Sequence, residues 1–430
     1  MVAVVPRTGV EMNMIFSKVR VERNVQRFQE KRKNGMNAKF SAKCVALIAA
    51  GAMSMSLAAC SGGSMDDSSS SNGSAANSDT ITLGSVTTNS GTAAAYGEAE
   101  VAGFKLAVDE INALGGDIQF ELRYEDDVND PEKAVNAYNT LKDWGMQISL
   151  GSVTSKPGEA TSVENYADRI FALTPSASSQ ATTEGKDNMF QMCFIDPAQG
   201  TLATDKIAEK KLGTKIAVIW KNDDVYSTGI HDKFVEEAKT KGLEVVSDMT
   251  FTDSSANDFS VQLNDAKSKG AELVFLPIYY QPASLILTQA HNMGFQTTFF
   301  GVDGMDGILT LEGFDTSLAE GLMLMTPFNA NSTDEKTASF VKKYQEQFGK
   351  TPNQFAADAY DCVYAYKQAL ENAGATPDMS AEDLCDKMIE QFTSMTFDGL
   401  TGTSATWSTE GAVTKDPTVA VIKDGKYVNV

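Results

Sequence analysis

The sequence predicts an α/β protein of two Rossmann-like lobes, each built on a parallel sheet. Three observations predict it. From Thr80 onward, stretches with strand character alternate with stretches of helical periodicity, a pattern that means parallel sheets with helices on both faces. The alternation forms two series, one ending near Leu173 and one running from about Gln199 to Thr326. A chain of 430 residues is also too long for a single core, so two lobes are the natural division.

In the first series residues 81–86, 118–124, 146–150 and 170–173 read as strands. The helix over 96–114 places Val101, Phe104, Val108 and Ile111 on one face, and Gly115-Gly116 ends it. Asp130 followed by Pro131 predicts an N-cap and first helical position for a helix to about Trp144. A further helix follows Pro157. In the second series, strands over 215–220, 244–251, 273–277, 298–300 and 321–326 alternate with helices near 199–212, 228–241, 260–269 and 282–293. Helices near 335–348, 354–371 and 381–392 come next, the last opened by a capping-box-like Ser380 and Asp383. Residues 405–430 read as short strands and turns.

Ahead of this body lies Leu57-Ala58-Ala59-Cys60, behind an apolar run over 44–56 with Lys39 and Lys43 before it. The run has the length of a signal segment and is too short to span a membrane. A small-residue cleavage site ending in Cys resembles a bacterial lipobox, which makes Cys60 the expected lipidation site and 36–59 a lipoprotein signal peptide. Residues 1–35 hold eight Lys/Arg and no apolar core, so translation is expected to begin at Met36, with 1–35 a mis-assigned upstream extension. Residues 60–79 comprise the lipidated Cys and a Ser/Gly tether too poor in apolar side chains to fold.

The formal charge is −21. After Cys60 there remain 26 basic and 54 acidic residues, a net of −28. Such a body has no electrostatic footprint for nucleic acid, and an anionic membrane surface would repel it, which suits attachment by lipid. Of five cysteines, Cys193, Cys362 and Cys385 belong to the body and show no metal-ligand spacing. They are read as buried free thiols, with a Cys362–Cys385 disulfide as the alternative.

Catalytic signatures are missing. No H-E-x-x-H, G-x-S-x-G, P-loop or G-x-G-x-x-G occurs. The two histidines, His231 and His291, read as solvated helix residues, and Glu125-Asp126-Asp127 as a solvated strand end without EF-hand spacing. Nothing assembles a nucleophile with its base, no cofactor or metal is called for, and the residues point to binding without turnover.

In open α/β sheets ligands sit beyond the carboxyl ends of the strands. In the first series those ends carry Gly151-Ser152-Val153-Thr154-Ser155 and Thr174-Pro175-Ser176-Ala177-Ser178. Hydroxyls and free amides at a helix start suit an anion; plain N-capping by Ser155 is the alternative role. The second series offers Asn222-Asp223-Asp224-Val225-Tyr226, Ile278-Tyr279-Tyr280 and Gly301-Val302-Asp303-Gly304. An acid facing aromatic rings suits an ammonium. Across a cleft, the two walls fit a zwitterion.

From about Thr80 to Ala373 the body resembles the branched-chain amino-acid (Leu/Ile/Val-type) binding proteins of ABC importers, the type I periplasmic-binding fold. The resemblance is carried by Ala95-Tyr96-Gly97-Glu98, by 104–112 (FKLAVDEIN), by Tyr124-Glu125-Asp126-Asp127 with Asp130-Pro131, and by Thr174-Pro175-Ser176-Ala177-Ser178. Phe259-Ser260, the 301–304 loop and Ala359-Tyr360-Asp361 add to it. It implies that Ser155, Ala177 and Ser178 bind a ligand carboxylate. Asp303 then pairs with the ammonium, Tyr226 and Tyr279 assist it, and Tyr96 borders the side-chain pocket. Asp at 303, where Glu also occurs, and Ser at 178, where Thr is frequent, keep this chemistry and alter its reach.

The resemblance further implies a Venus-flytrap mechanism in which two lobes close on an amino acid and the closed form docks on an ABC permease. The lobes are expected over 80–195 plus 327–398 and over 196–326 plus 399–430, with crossings near 195–197, 326–327 and 399–402. A lipid-anchored, extracytoplasmic monomer is expected. The alternative is a ligand-sensing receptor module for an amino acid or amide, a type usually fused to a membrane helix and an intracellular domain.

Overall fold

The computed structural model describes residues 79–415 and 418–430. The Met36 start, the signal segment and Cys60 lie outside the described residues. Among those described, no helix is long and apolar enough to cross a membrane.

The first sheet contains β1 (Ile81–Thr87), β2 (Phe120–Asp126), β3 (Ile148–Ser152), β4 (Ala172–Thr174) and β5 (Met189–Gln191), in the order β2-β1-β3-β4-β5 and parallel throughout. All seven residues of β1 are buried, as expected for a parallel strand covered on both faces. Its helices are α1 (Ala94–Ala113), α2 (Pro131–Trp144) and α3 (Ser155–Ala167). Asp130 caps α2 by accepting from the amides of Glu132 and Lys133, at 3.0 and 2.9 Å. Gly145 ends α2 at φ 105°, a left-handed stop open to glycine.

The second sheet contains β6 (Lys215–Lys221), β7 (Glu244–Phe251), β8 (Leu273–Leu276), β9 (Thr298–Gly301), β10 (Met323–Thr326), β11 (Thr418–Lys423) and β12 (Lys426–Asn429). The order is β12-β11-β10-β9-β8-β6-β7, parallel from β7 to β10, with β11 and β12 added antiparallel. The helices of this series are α4 (Asp196–Glu209), α5 (Val225–Thr240), α6 (Ser260–Ser268) and α7 (Tyr280–Asn292). Three more, α8 (Glu335–Phe348), α9 (Gln354–Asn372) and α10 (Ala381–Phe392), follow β10. Ser380 opens α10 as its spacing predicts, accepting from the amide of Asp383 at 3.1 Å and donating to that carboxylate at 2.7 Å.

The chain thus returns to the first sheet after the second. Helix α9 lies along α1 so closely that a Cβ on Gly103 would stand 2.2 Å from the carbonyl oxygen of Ala356. Phe104 and Ala107 of α1 share one core with Cys362, Val363 and Tyr366 of α9.

Several expectations are corrected. β2 and β3 begin two residues later than the hydropathy suggests and run to Asp126 and Ser152. The three-residue β5 is too short to have a period of its own. Helices α3, α4, α5 and α7 each start two or three residues before their expected positions, which moves Ser155 and Tyr226 from loops into first turns. The third crossing lies beyond 399–402. Trp407 is buried in the core of the first sheet and donates through Nε1 to the carbonyl of Gln191 at 2.9 Å, while the amide of Gln191 donates to Gly411 at 2.9 Å. Those contacts hold residues 405–411 beside β5.

His231 is not solvated. It is buried, its ring stacks on Trp220 at 3.9 Å between centroids, and its nitrogens meet Asp232 and Asp248 at 2.8 and 3.1 Å. His291 is exposed. Asp127 is likewise buried, and accepts from Thr88 Oγ1 and the amide of Asn129, both at 2.7 Å. Cys193, Cys362 and Cys385 are buried free thiols, and burial pushes Cys385 up to about 12.

Candidate ligand-binding cleft

Strand order changes direction at β1/β3 in the first sheet and at β6/β8 in the second. Loops leaving such switch points diverge and open a crevice between them. Tyr96 and Ser155 follow β1 and β3, Tyr226 and Tyr279 follow β6 and β8, and Ala177, Ser178 and Asp303 stand in the next loops along, after β4 and β9.

On the first sheet, Thr154 occupies the N-cap of α3 and Ser155 its first helical position, so Ser155 does not cap the helix. The Ser155 hydroxyl is instead free for the facing loop. Its Oγ accepts from the amide of Ser179 at 3.1 Å and lies 3.4 Å from Ser178 Oγ. Ala177 is fully buried, packed so tightly that a Cβ on Gly158 of α3 would stand 2.6 Å from its own Cβ. Amides in the first turn of a helix have no acceptor within it, and the helix dipole there favours negative charge. This wall therefore offers hydroxyls and amides.

On the second sheet, Asp224 caps α5 and Tyr226 sits in its first turn. The Tyr226 hydroxyl donates to Asp303 Oδ1 at 2.6 Å and accepts from the amide of Gly304 at 2.9 Å. The Tyr226 and Tyr279 rings stack at 4.6 Å. Gly304 is required where it stands, because a Cβ there would fall 2.6 Å from the Tyr226 hydroxyl and 2.9 Å from the Tyr279 ring. Asp303 is 6% exposed. Burial raises its carboxyl to about 6, against the lowering effect of the Tyr226 hydroxyl and neighbouring donors. Burial raises Asp224 to about 6 as well. This wall is acidic and aromatic.

Tyr96 links α1 to the Asp303 loop. It follows β1 in the first turn of α1, yet its hydroxyl donates to the carbonyl of Gly304, and its ring meets Tyr279 edge-on at 5.6 Å. The structure therefore brings Tyr96, Tyr226, Tyr279 and Asp303 into one cluster and Ser155, Ala177 and Ser178 into another.

Between the clusters stands Asp196, which sequence reasoning treated only as part of a crossing. It is 1% exposed, its amide donates to the carbonyl of Ser178 at 2.9 Å, and its Oδ1 has no hydrogen-bond partner in the protein. Burial pushes its carboxyl well up, offset in part by a hydrogen bond with Ser178, while Asp303 and Asp224 raise it further.

Two other residues were missed. Phe355 stacks on Tyr96 at 4.2 Å, and Gln354 donates through Nε2 to the carbonyl of Asp303 at 2.7 Å. Asn353, which caps α9, was the available signal. It starts that helix at Gln354 and so puts Gln354 and Phe355 in a first turn.

Comparison with known proteins agrees with the two-sheet α/β fold. A Leu/Ile/Val-binding protein homolog from Brucella melitensis is 29% identical over 305 residues, 70% of this chain and 81% of that protein. A leucine-, isoleucine-, valine-, threonine- and alanine-binding protein from Pseudomonas aeruginosa is 27% identical over 71% of this chain and 82% of its own length. Among solved structures, a branched-chain amino acid transporter substrate binding protein from Streptococcus pneumoniae, in complex with isoleucine, superposes with a TM-score of 0.73 at 26% identity. It covers 82% of this chain and 100% of that one. The periplasmic binding protein family matches residues 80–426. With two parallel-rich sheets and a family match spanning that whole body, this chain belongs to the periplasmic binding protein family.

Proposed function

We propose that the protein captures an amino acid of branched-chain type in the cleft between its lobes, outside the cytoplasm, and delivers it to the permease of an ABC importer. One observation supports the reading: a buried Asp303–Tyr226 pair stands at the strand ends of the second sheet and a set of hydroxyls and helix-start amides at those of the first, with Asp196 bonded to Ser178 and Tyr96 of α1 bonded to Gly304. In this reading Ser155, Ala177 and Ser178 receive the carboxylate, Asp303 receives the ammonium with Tyr226 and Tyr279 beside it, and the Tyr96 and Phe355 rings border an apolar side chain. The amino acids bound by the Brucella, Pseudomonas and Streptococcus relatives support it.

Closure follows from the same contacts. A ligand held by both walls stabilises only the arrangement in which they meet, and so shifts the population toward it. A micromolar site corresponds to about 8 kcal/mol. Two charge-assisted anchors at about 1.5–3 kcal/mol each supply much of that, and burial of the aliphatic side chain supplies the rest. Titration calorimetry and a thermal-shift series with isoleucine, leucine and valine test the reading. A ligand at about 100 times its dissociation constant adds about 2.7 kcal/mol of stability and raises the melting temperature. Absence of both heat and shift with every amino acid would remove it.

The proposal includes lipid attachment at Cys60 after removal of 36–59, supported by Leu57-Ala58-Ala59-Cys60 and the apolar run before it. Cys60→Ser is expected to move the protein from the membrane fraction to the soluble one. Unchanged fractionation, with an unmodified Cys60 in the mass spectrum, would sink this part alone.

A further inference from the structure

Glu100 lies four residues after Tyr96 on α1, a spacing that puts the two on one side of the helix. It is fully buried. Its Oε1 is within hydrogen-bond distance of Ser176 Oγ, and its Oε2 has no hydrogen-bond partner. The same Ser176 Oγ lies 2.5 Å from the carbonyl oxygen of Val153.

The protons in this chain can be counted. The Val153 carbonyl only accepts, and the Ser176 hydroxyl has one proton to donate. With Glu100 ionised, that proton satisfies one of the two short contacts and leaves the other as bare oxygen against oxygen. A protonated Glu100 completes the chain: its O–H donates to Ser176 Oγ, and Ser176 donates to Val153. The unpartnered Oε2 is then a neutral carbonyl oxygen, far cheaper to bury than half of a carboxylate.

The surroundings favour the same state. Asp127, from the loop after β2, and Asp358, from α9, both face Glu100, as does the buried thiol of Cys362. Lys415, the cation that acts on the neighbouring Cys362 thiol, is paired with Asp358 at 2.6 Å. Burial foremost, and the two carboxylates after it, push the Glu100 carboxyl well above its usual range, against the lowering effect of Ser176.

We propose that Glu100 is a neutral carboxylic acid in the folded protein at neutral pH. Its proton makes it a positioning residue, which fastens the 153–155 loop to the 176–178 loop. The protonation stands on Glu100's own contacts. Only the purpose of the fastening, to hold the two loops that receive a ligand carboxylate, rests on the function proposed above.

Infrared difference spectroscopy of the wild-type protein against Glu100→Gln at neutral pH is the first test. The expected result is a carboxylic-acid C=O band that shifts in deuterated water and is lost in the variant; absence of the band overturns the proposal. Stability against pH is the second. A carboxyl raised in the folded state contributes stability that is complete below its unfolded value and is lost as pH rises toward and through its folded value. The wild type should therefore lose stability relative to Glu100→Gln as pH rises, and parallel profiles overturn the proposal.

For the positioning role, Glu100→Gln keeps a donor at the same reach and should retain isoleucine affinity. Glu100→Ala should weaken isoleucine binding about fivefold, the worth of one neutral hydrogen bond, and speed amide exchange at Ser178 and Ser179. Equal exchange in Glu100→Ala and wild type overturns the positioning role. A wild type that binds no amino acid defeats the proposed function, while the infrared band and the exchange rates still decide on Glu100. If Glu100→Ala does not fold, the Glu100→Gln comparisons stand by themselves.

Discussion

Asp303→Ala is expected to weaken binding of an amino-bearing ligand by at least about tenfold, the lower end for a lost hydrogen bond to a charged group at about 1.5–3 kcal/mol. The buried Asp303 carboxylate is held by Tyr226 at 2.6 Å. Its removal leaves the ligand's ammonium without that counter-charge in a closed cleft. Asp303→Asn separates binding from folding. In the ligand-free protein the carboxyl is raised to about 6. The stability it contributes is therefore complete below the unfolded value of about 3.9 and is lost as pH rises through about 6. The neutral Asn should thus be no less stable than wild type at neutral pH, yet bind poorly.

Binding itself has the opposite pH dependence. An ammonium pairs only with the ionised acid, so wild-type affinity should fall as pH drops through about 6, with a proton released on binding in that range. Calorimetry in buffers of different ionisation enthalpy reads both effects. Affinity for isoleucine unchanged in Asp303→Ala would take Asp303 out of the site.

Lys415→Met should destabilise the protein by about 3–5 kcal/mol, the range for breaking one side of a buried ion pair. The Lys415 and Asp358 side chains are 1% and 5% exposed. Lys415 Nζ also donates to Thr401 Oγ1 at 2.6 Å, and Asp361 takes the amides of Leu400 and Thr401 at 2.8 and 3.0 Å. The ion pair thereby ties α9 to two points of the returning chain. Burial raises Asp358 to about 6, and Lys415 is the largest opposing influence. Without the cation, the carboxylate is either buried bare or protonated, and both cost stability. Urea unfolding measures the loss. The double variant Lys415→Met with Asp358→Asn should recover part of it, because no lone charge remains. Equal loss in the single and double variants would assign the effect to packing and not to charge.

How much of the cleft can be seen in the sequence depends on where a residue sits relative to a strand end. Tyr96, Tyr226, Tyr279 and Asp303 follow β1, β6, β8 and β9 within a few residues, and strand ends in alternating α/β chains are where ligand loops are placed. Phe355 and Gln354 follow no strand. They reach the cleft because α9 returns to the first sheet and lays its first turn against Tyr96, a contact between residues more than 250 positions apart. Asp127 and His231 misled for the same reason, since a charged residue near a strand end or on a helix reads as solvated until the element that covers it is known. Glu100 reads as a polar position on an amphipathic helix, and only the 174–178 loop folding over it turns that position into a buried acid.

The sequence by itself determined the alternating elements, the two lobes, the Asp130 and Ser380 helix starts and the strand-end loops, because these follow from local periodicity, capping chemistry and chain length. Tertiary structure alone decided the rest. It placed residues 405–411 with β5, brought α9 against α1, set Asp196 between the two walls and brought one proton's worth of donors to Glu100, Ser176 and Val153. Those outcomes depend on which surfaces meet after the chain has crossed between sheets, and burial, which raises the carboxyls of Asp196, Asp224 and Asp303, exists only once they have met.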